Sequence, residues 1–195
     1  MTAKPGERKD QILQTVAQML ERPAGEKVTT AALAKQLGVS EAALYRHFRG
    51  KAEMFEGLIE FIEQALFGLI NKIGGEEKSG VRQLEAMIAV LLAFAQKNRG
   101  MTRVLIGDAL VNEDDRLQAR INQLHDRLES ALKQALRFGV SQKEIAQEVD
   151  VAAHANLLMS FVIGRWHLFA KSGFKRDPAE LWAKQWRLLM EGVIA

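Results

Sequence analysis

Hydrophobic residues recur at helical spacing along most of the chain, whereas the alternating pattern and the Asn-Gly or Asp-Gly turns typical of strands are nearly absent. In the first such stretch the apolar positions i, i+4, i+7 and i+8 are Ile12, Val16, Met19 and Leu20. This spacing predicts a helix over about 8–21, which Pro23-Ala24-Gly25 ends. Continued along the chain, the pattern predicts an all-α fold of about nine helices and no strands.

The helices that follow are bounded by residues that favour helix ends. A short helix is predicted from Thr30 to Leu37 and ends at Gly38, and Ser40 is the expected N-cap of the next helix. Further helices are predicted at about 51–73 up to Gly74-Gly75, at about 80–98, from Thr102 after a break at Arg99-Gly100, at about 114–138 up to Gly139 and at about 150–171. Ser141 and Glu144 are expected to form a capping box, and a last helix is expected to begin at Asp177-Pro178.

The composition is that of an ordinary folded protein, with 48% hydrophobic and 26% charged residues. The chain has no cysteine, which excludes disulfides, cysteine-ligated metals and thiol nucleophiles. The first twenty residues lack the apolar core of a signal peptide, and the apolar runs 87–95 and 157–164 are shorter than a bilayer span. We therefore expect a cytoplasmic protein without a membrane span.

Positive charge is concentrated in the first quarter of the chain. Residues 1–52 hold nine Lys and Arg against five Asp and Glu, a net charge of +4, whereas the rest of the chain has a net charge of −1. An excess of this size indicates a polyanionic partner only when a binding motif accompanies it.

A helix-turn-helix pattern occupies residues 30–48 of this basic quarter. Ala34 is small where two helices approach each other, and Gly38 permits the tight turn between them. The second helix spans about 12 Å, since its roughly eight residues rise about 1.5 Å each, and this length matches the width of the DNA major groove. A three-helix stack with a charged surface is the alternative interpretation. The shared apolar seam consists of Leu33, Leu37, Leu44 and Phe48.

The second helix of the motif turns Leu44 and Phe48 inward, so the residues on its other side are predicted to reach DNA. Arg46 is suited to a bidentate contact with guanine, and the methyl groups of Ala42 and Ala43 are suited to thymine. The groups suited to phosphate belong to Thr29, Thr30, Tyr45, His47 and Lys51. The full predicted DNA-binding set is Thr29, Thr30, Ser40, Ala42, Ala43, Tyr45, Arg46, His47 and Lys51.

Residues 29–55 resemble the N-terminal DNA-binding domain of TetR-type regulators, above all in the pattern Tyr45-Arg46-His47-Phe48 followed by Lys51 and Phe55. The resemblance implies a DNA-binding domain over 1–52 and a helical regulatory and dimerisation domain over 53–195. Arg49-Gly50 departs from the Pro-Ser pair that is common at this position, which bears on how the loop before Lys51 contacts phosphate.

Within the TetR family the chain is similar to the nucleoid occlusion factors over about 10–138. The segments that carry this similarity are 54–63, 98–103 and 116–124. The resemblance implies a homodimer that binds a palindromic site on double-stranded DNA and inhibits assembly of the division protein FtsZ near the nucleoid. It also implies that no small-molecule inducer is needed.

Apolar residues lie on two faces of the helix predicted at 150–171, which favours a second copy of the chain as a partner. A helix buried in a larger monomeric core is the alternative interpretation. One face carries Ala152, Ala155, Met159, Val162 and Trp166, the other carries Leu158, Phe161 and Leu168, and the last helix adds Leu181, Trp182, Trp186, Leu188 and Leu189.

Phe61 lies about 120° away from the apolar stripe of its own helix. A large aromatic residue at such a position either packs beneath a neighbouring helix or forms an exposed anchor for a partner. In the nucleoid occlusion branch the FtsZ-binding surface lies near this helix and near the turn that contains Lys97 and Asn98. The resemblance therefore implies an FtsZ-binding site of Phe61, Val90, Lys97 and Asn98.

No pattern of a catalytic or metal site is recognisable, so we expect neither an enzyme nor a bound cofactor or metal. The four histidines lack the i, i+4 spacing of a helical zinc site, and the acidic run 113–115 precedes a long helix, whose dipole favours acids there. The rival interpretation is a ligand-responsive TetR-type repressor. Methionine and aromatic side chains at helical spacing, which would line its ligand pocket, more often form a core. Its pocket would be lined by Met87, Phe94, Met101, Met159, Phe161 and Trp166.

Overall fold

The computed structural model describes residues 5–22 and 28–195, so the predicted helix-ending signal at Pro23-Ala24-Gly25 lies outside the described residues. Within these ranges the chain forms nine α-helices, one 3-10 helix at Asp108–Leu110 and an isolated bridge between Ile145 and Ile194. The all-α prediction is therefore confirmed. The α-helices are α1 (Pro5–Leu20), α2 (Thr30–Leu37), α3 (Glu41–Tyr45), α4 (Lys51–Glu76), α5 (Gly80–Lys97), α6 (Arg99–Leu105), α7 (Asp115–Ser141), α8 (Val151–Lys171) and α9 (Trp182–Leu189).

The short helices α2 and α3 begin and end at the residues that the sequence predicts. Thr29 Oγ1 accepts a hydrogen bond from Ala32 N at 3.1 Å, and Ser40 Oγ accepts one from Ala43 N at 3.3 Å. Gly38 adopts the left-handed conformation, with φ 65°, that ends α2 and turns the chain towards α3. These local interactions fix the turn of the helix-turn-helix motif.

Glycine ends neither α4 nor α7, contrary to the expectation from the sequence. α4 continues through its glycine pair to Glu76, since neither glycine takes the positive φ that would end the helix. α7 continues through Gly139 to Ser141. The backbone at Gly139 packs closely against the backbone at Gly80 instead. A Cβ built on Gly80 would lie only 2.3 Å from the Gly139 nitrogen.

Glu144 caps a different helix from the one expected. Its carboxylate accepts hydrogen bonds from Ser79 Oγ at 3.0 Å and from Val81 N at 3.2 Å, at the start of α5. Ser141 lies in the last turn of α7, where its hydroxyl donates to the Phe138 carbonyl at 2.7 Å. The predicted capping box of Ser141 with Glu144 is therefore wrong, because the Ser79 hydroxyl and the Val81 N–H at the start of α5 use the carboxylate.

The predicted break at Arg99-Gly100 falls one residue earlier, at Asn98. α6 begins at Arg99 and not at Thr102. Gly100 lies inside this helix, and a Cβ there would lie 1.9 Å from the Ala17 carbonyl oxygen. The glycine therefore allows α6 to approach α1 closely.

The last helix is shorter than the sequence predicts. Asp177 accepts a hydrogen bond from Ala179 N at 2.8 Å, but only a turn follows, because Leu181 has a left-handed φ of 65°. α9 therefore begins at Trp182 and not at Asp177. The Arg165 guanidinium on α8 supports this turn by donating to the carbonyl groups of Asp177, Pro178 and Glu180.

The chain divides into two compact units, and each combines segments that are distant in sequence. In the first unit α1 packs against α2 and α6. In the second unit α5 packs against α8, where the buried Trp166 donates from Nε1 to the Leu91 carbonyl at 3.0 Å. The predicted domain boundary after residue 52 stays a prediction. The first unit consists of Met1–Ile62 with Asn98–Ile121, and the second of Glu63–Lys97 with Asn122–Ala195.

None of the helices in the described part of the chain combines the length and the apolar character needed to cross a membrane.

Candidate nucleic-acid interface

Helix α3 has one side anchored in the protein and one side open to solvent. Leu44 is 1% exposed, whereas Ala42, Tyr45 and Arg46 are exposed and Ala43 is half-buried. Because Leu44 fixes the helix on the motif, the other side presents an aromatic hydroxyl and a guanidinium beside small methyl groups. Such a surface can enter a groove of DNA and donate hydrogen bonds there.

The threonine and serine hydroxyl groups of the predicted DNA-binding set differ in what they already bind. Thr29 and Ser40 accept backbone hydrogen bonds at the starts of α2 and α3, so the O–H of each still has its donor capacity. Thr30 instead donates to Glu41 Oε2 at 2.7 Å. A phosphate that accepts the Thr30 proton must therefore displace the Glu41 carboxylate, an acidic group that sequence reasoning did not include in the site.

The cationic groups of the site are of two kinds. Arg46 and Arg49 are exposed, and neither guanidinium is ion-paired with another residue of the described ranges. Lys51 is half-buried at the start of α4 and forms an ion pair with Glu113, with its Nζ 5.6 Å from the centre of the Phe55 ring. The sequence gives no sign of this pair, because 62 residues separate its partners.

The four residues of the predicted FtsZ-binding site are distributed over both units. Phe61 is 44% exposed and borders a small cleft in the first unit. Asn98, half-buried in the same unit, precedes α6. In the second unit Lys97 is exposed at the end of α5 and Val90 is half-buried. The other residues that line the cleft are Asp10, Leu13, Gln14, Leu58 and Met101.

Helix α8 carries apolar residues on its buried side and also on its exposed side. The exposed side includes Leu157, which is 50% exposed, and Leu168, which is 44% exposed. The expected composition of the two faces was wrong at two positions, because Leu158 is fully buried and Ala152 is exposed. The residues buried along α8 are Ala155, Leu158, Met159, Val162, Trp166, Phe169 and Ala170.

Sequence comparison relates both parts of the chain to known proteins. The pattern of bacterial regulatory proteins of the tetR family matches residues 12–58, and that of the tetracyclin repressor-like C-terminal domain, in its SlmA-like form, matches residues 78–193. The nucleoid occlusion factor SlmA of a Marinomonas species is 47% identical over 194 residues, which are 100% of this chain and 98% of that protein. SlmA of Alteromonas mediterranea is 50% identical over 183 residues, or 94% of each chain. The chain belongs to the SlmA family of nucleoid occlusion factors.

Solved structures confirm the TetR-like fold for this member of the SlmA family. A TetR-family transcriptional regulator from Agrobacterium tumefaciens has a TM-score of 0.81 with 18% identity, and covers 98% of this chain and 100% of its own. The TetR-family regulator PfmR from Thermus thermophilus has a TM-score of 0.77 with 25% identity, and covers 94% of this chain and 98% of its own. The first of these likenesses shows the fold alone.

The residues of the rival ligand pocket lie mostly in the helical core of this SlmA-family chain. Met159 and Trp166 are buried on α8, and the Phe161 ring is tilted against that of Trp182 with ring centres 6.0 Å apart. An open groove of about 470 Å³ lies between α4 and α7, and Met87 contributes to its lining. Among the described residues no cluster of three or more His, Asp or Glu is arranged to hold a metal ion.

Proposed function

We propose that this chain is a sequence-specific DNA-binding nucleoid occlusion factor that inhibits assembly of the FtsZ ring over the chromosome. The observation that carries the proposal is the similarity to SlmA proteins at 47% to 50% identity over almost the whole chain. A shared DNA-binding head would support DNA binding alone, whereas similarity that extends through the C-terminal helices supports the activity of the whole protein. The proposed location is the cytoplasm, on the nucleoid.

The proposed DNA contacts follow from the exposed side of α3 and the helix starts beside it. Arg46 donates to a guanine edge in the major groove, and Ala42 and Ala43 lie against thymine methyl groups. Hydroxyl and cationic groups around them bind the phosphates and fix the register of the helix. These phosphate-binding residues are Thr29, Thr30, Ser40, Tyr45, His47 and Lys51.

The proposed active form is a homodimer built on the exposed apolar side of α8 and α9. Leu157 and Leu168 on α8 are joined by Leu188 of α9, which is 69% exposed. Large apolar side chains exposed on a protein surface mark places that another protein chain can cover. A symmetric pair places two α3 helices on the two halves of a palindromic site.

The proposed contact with FtsZ uses Phe61, Val90, Lys97 and Asn98. Phe61 supplies an exposed aromatic side chain of the kind enriched at the centres of interfaces, and Lys97 supplies a positive charge for an acidic partner segment. The protein acts in this proposal by binding, without a catalytic step, a cofactor or a small-molecule inducer.

Reconstitution with purified FtsZ tests the proposal. FtsZ is polymerised with GTP and sedimented in the presence of this protein and either its selected DNA site or a scrambled duplex of equal length. We expect the amount of FtsZ in the pellet to be lower with the selected site than with the scrambled duplex. Phe61→Ala is expected to abolish that effect while DNA affinity stays unchanged, because Phe61 lies about 15 Å along α4 from Lys51, which is the nearest predicted DNA contact on that helix.

Leu69→Ala is the matched control, since Leu69 is a second exposed apolar residue of α4, 45% exposed, outside the proposed site. It is expected to behave as the unsubstituted protein does. If the DNA-bound protein leaves FtsZ polymers intact, the proposal fails. A small molecule that releases the protein from a single promoter would instead favour the ligand-responsive repressor.

A further inference from the structure

We infer that Glu113 competes with DNA phosphate for Lys51, so that DNA binding must open an ion pair within the first unit. The inference rests on the proposed function, because it requires Lys51 to contact the DNA backbone. It adds a built-in restraint on DNA affinity and a local conformational change that reports DNA occupancy.

The ion pair joins two segments that are far apart in the chain. Lys51 is the first residue of α4 and follows directly after the loop that leaves α3. Glu113 lies in the connection between the 3-10 helix and α7, where its backbone N–H donates to the Leu110 carbonyl at 3.0 Å. The side chains are 28% and 19% exposed, so salt and water screen their attraction less than at a fully exposed pair.

A phosphate and the Glu113 carboxylate cannot share Lys51 without cost. Both are anions, and a phosphate within contact distance of the ammonium group would lie next to the carboxylate and be repelled by it. Lys51 also has its Nζ near the Phe55 ring, which limits the positions that the ammonium group can take while it remains paired. The phosphate contact therefore replaces the Glu113 contact.

Two ion pairs of Arg116 determine which part of the connection between the 3-10 helix and α7 is released. Arg116 Nε lies 3.1 Å from Glu56 and 3.2 Å from Asp114, so the start of α7 is tied to α4 independently of Lys51. When the Lys51–Glu113 pair opens, these contacts stay. The change is therefore confined to the short segment 111–113, in which Asn112 has a left-handed φ of 66°.

Variants that replace a charged carboxylate by an uncharged amide test the competition. Their DNA affinity is measured by titrating each protein into labelled duplexes at one salt concentration. Glu113→Gln is expected to raise the affinity for selected and random duplexes by the same factor, about twofold to tenfold, since a phosphate contact is insensitive to sequence. The same variant is expected to lower the melting temperature of the free protein, because the ion pair is lost. Higher affinity together with lower stability is a combination that partial unfolding cannot produce.

Asp115→Asn is the matched control, because it removes one negative charge two residues away without touching Lys51. It is expected to change the affinity by less than twofold. In the Lys51→Gln background, Glu113→Gln is expected to have no effect on affinity. An equal gain from Asp115→Asn, or a gain that persists without Lys51, would show a general charge effect and overturn the inference.

Hydrogen exchange gives a second measurement, on the free protein and on its complex with the selected duplex. We expect DNA to speed exchange of the amides at 111–113 in the unsubstituted protein and to leave it unchanged in Glu113→Gln, where exchange is already fast. Slower or constant exchange in the unsubstituted complex would contradict the inference. Failure of every variant to bind any duplex would instead refute the proposed function.

Discussion

At the scale of single residues, Arg46 is the side chain best placed to read a base. It is exposed at the end of α3, on the side opposite the buried Leu44. Arg46→Ala is expected to weaken binding to the selected site by about 1–3 kcal/mol and to relax sequence preference. Titration of selected and scrambled duplexes at the same salt concentration measures both effects. Lys51→Ala is the control and is expected to weaken binding to the two duplexes equally, because a phosphate contact is insensitive to sequence. The same equal loss for Arg46→Ala would assign Arg46 to phosphate.

His154 makes the stability of the protein depend on pH. Burial lowers its pKa below the usual value of 6.5, and its Nε2 has no hydrogen-bond partner in the described part of the chain. Below pH 6.5 the unfolded chain binds a proton that the folded chain resists, so this contribution to stability is present above pH 6.5 and is lost as the pH falls further. His154→Asn is therefore expected to reduce the drop in melting temperature between pH 7.5 and pH 5.5. An unchanged drop in the His154→Asn variant would contradict this assignment.

The residues that could be predicted from the sequence are those whose partners are close in the chain. Thr29, Gly38 and Ser40 act through neighbours three or four positions away, and the structure has each cap where its residue type indicates. The Lys51–Glu113 pair could not be foreseen, since it depends on how α4 and the start of α7 come together. Glu41 was missed for another reason: its carboxylate was not considered in a site sought through its positive charges.

At the scale of helices, the pair Gly80 and Gly139 shows why composition does not decide where a helix ends. A Cβ at Gly80 would meet the Gly139 backbone, which cannot move as a flexible side chain can. Gly80→Ala is expected to lower the free energy of unfolding by about 1–3 kcal/mol or more through overpacking. Gly68→Ala on α4 has open space around its Cβ and is expected to raise it by about 0.5–1 kcal/mol through helix propensity. Urea unfolding of the two variants measures both, and the same sign for both would contradict the packing argument.

Helical periodicity predicted that α8 has two apolar faces, but not which residues each face holds. Leu158 and Ala152 were exchanged between them, because a rotation of 100° per residue places both near the edge of a face and packing against α5 decides. The same limit applies to α9, whose start depends on the left-handed Leu181 and on the contacts of Arg165. Periodicity therefore predicts elements, whereas contacts distant in sequence determine their ends and their covered sides.

At the scale of the whole molecule, DNA affinity is expected to depend on dimerisation, because each copy contributes one α3 helix to a shared site. The double variant Leu157→Glu with Leu168→Glu places charges on the exposed side of α8 and is expected to give a monomer in analytical ultracentrifugation. A monomer contacts half as many phosphates, so the slope of log affinity against log salt concentration is expected to fall by about half.

The control for this prediction is Leu69→Glu, which adds a charge at an apolar residue that is 45% exposed and lies outside α8. It is expected to stay dimeric, because α8 is unchanged. Its affinity is expected to fall only slightly, since one added negative charge repels DNA weakly at moderate salt. A double variant that remains dimeric would show that the paired surface lies elsewhere. A monomer with an unchanged salt slope would show that one copy makes all the phosphate contacts. The proposal that two copies each place an α3 helix on one site would then be wrong.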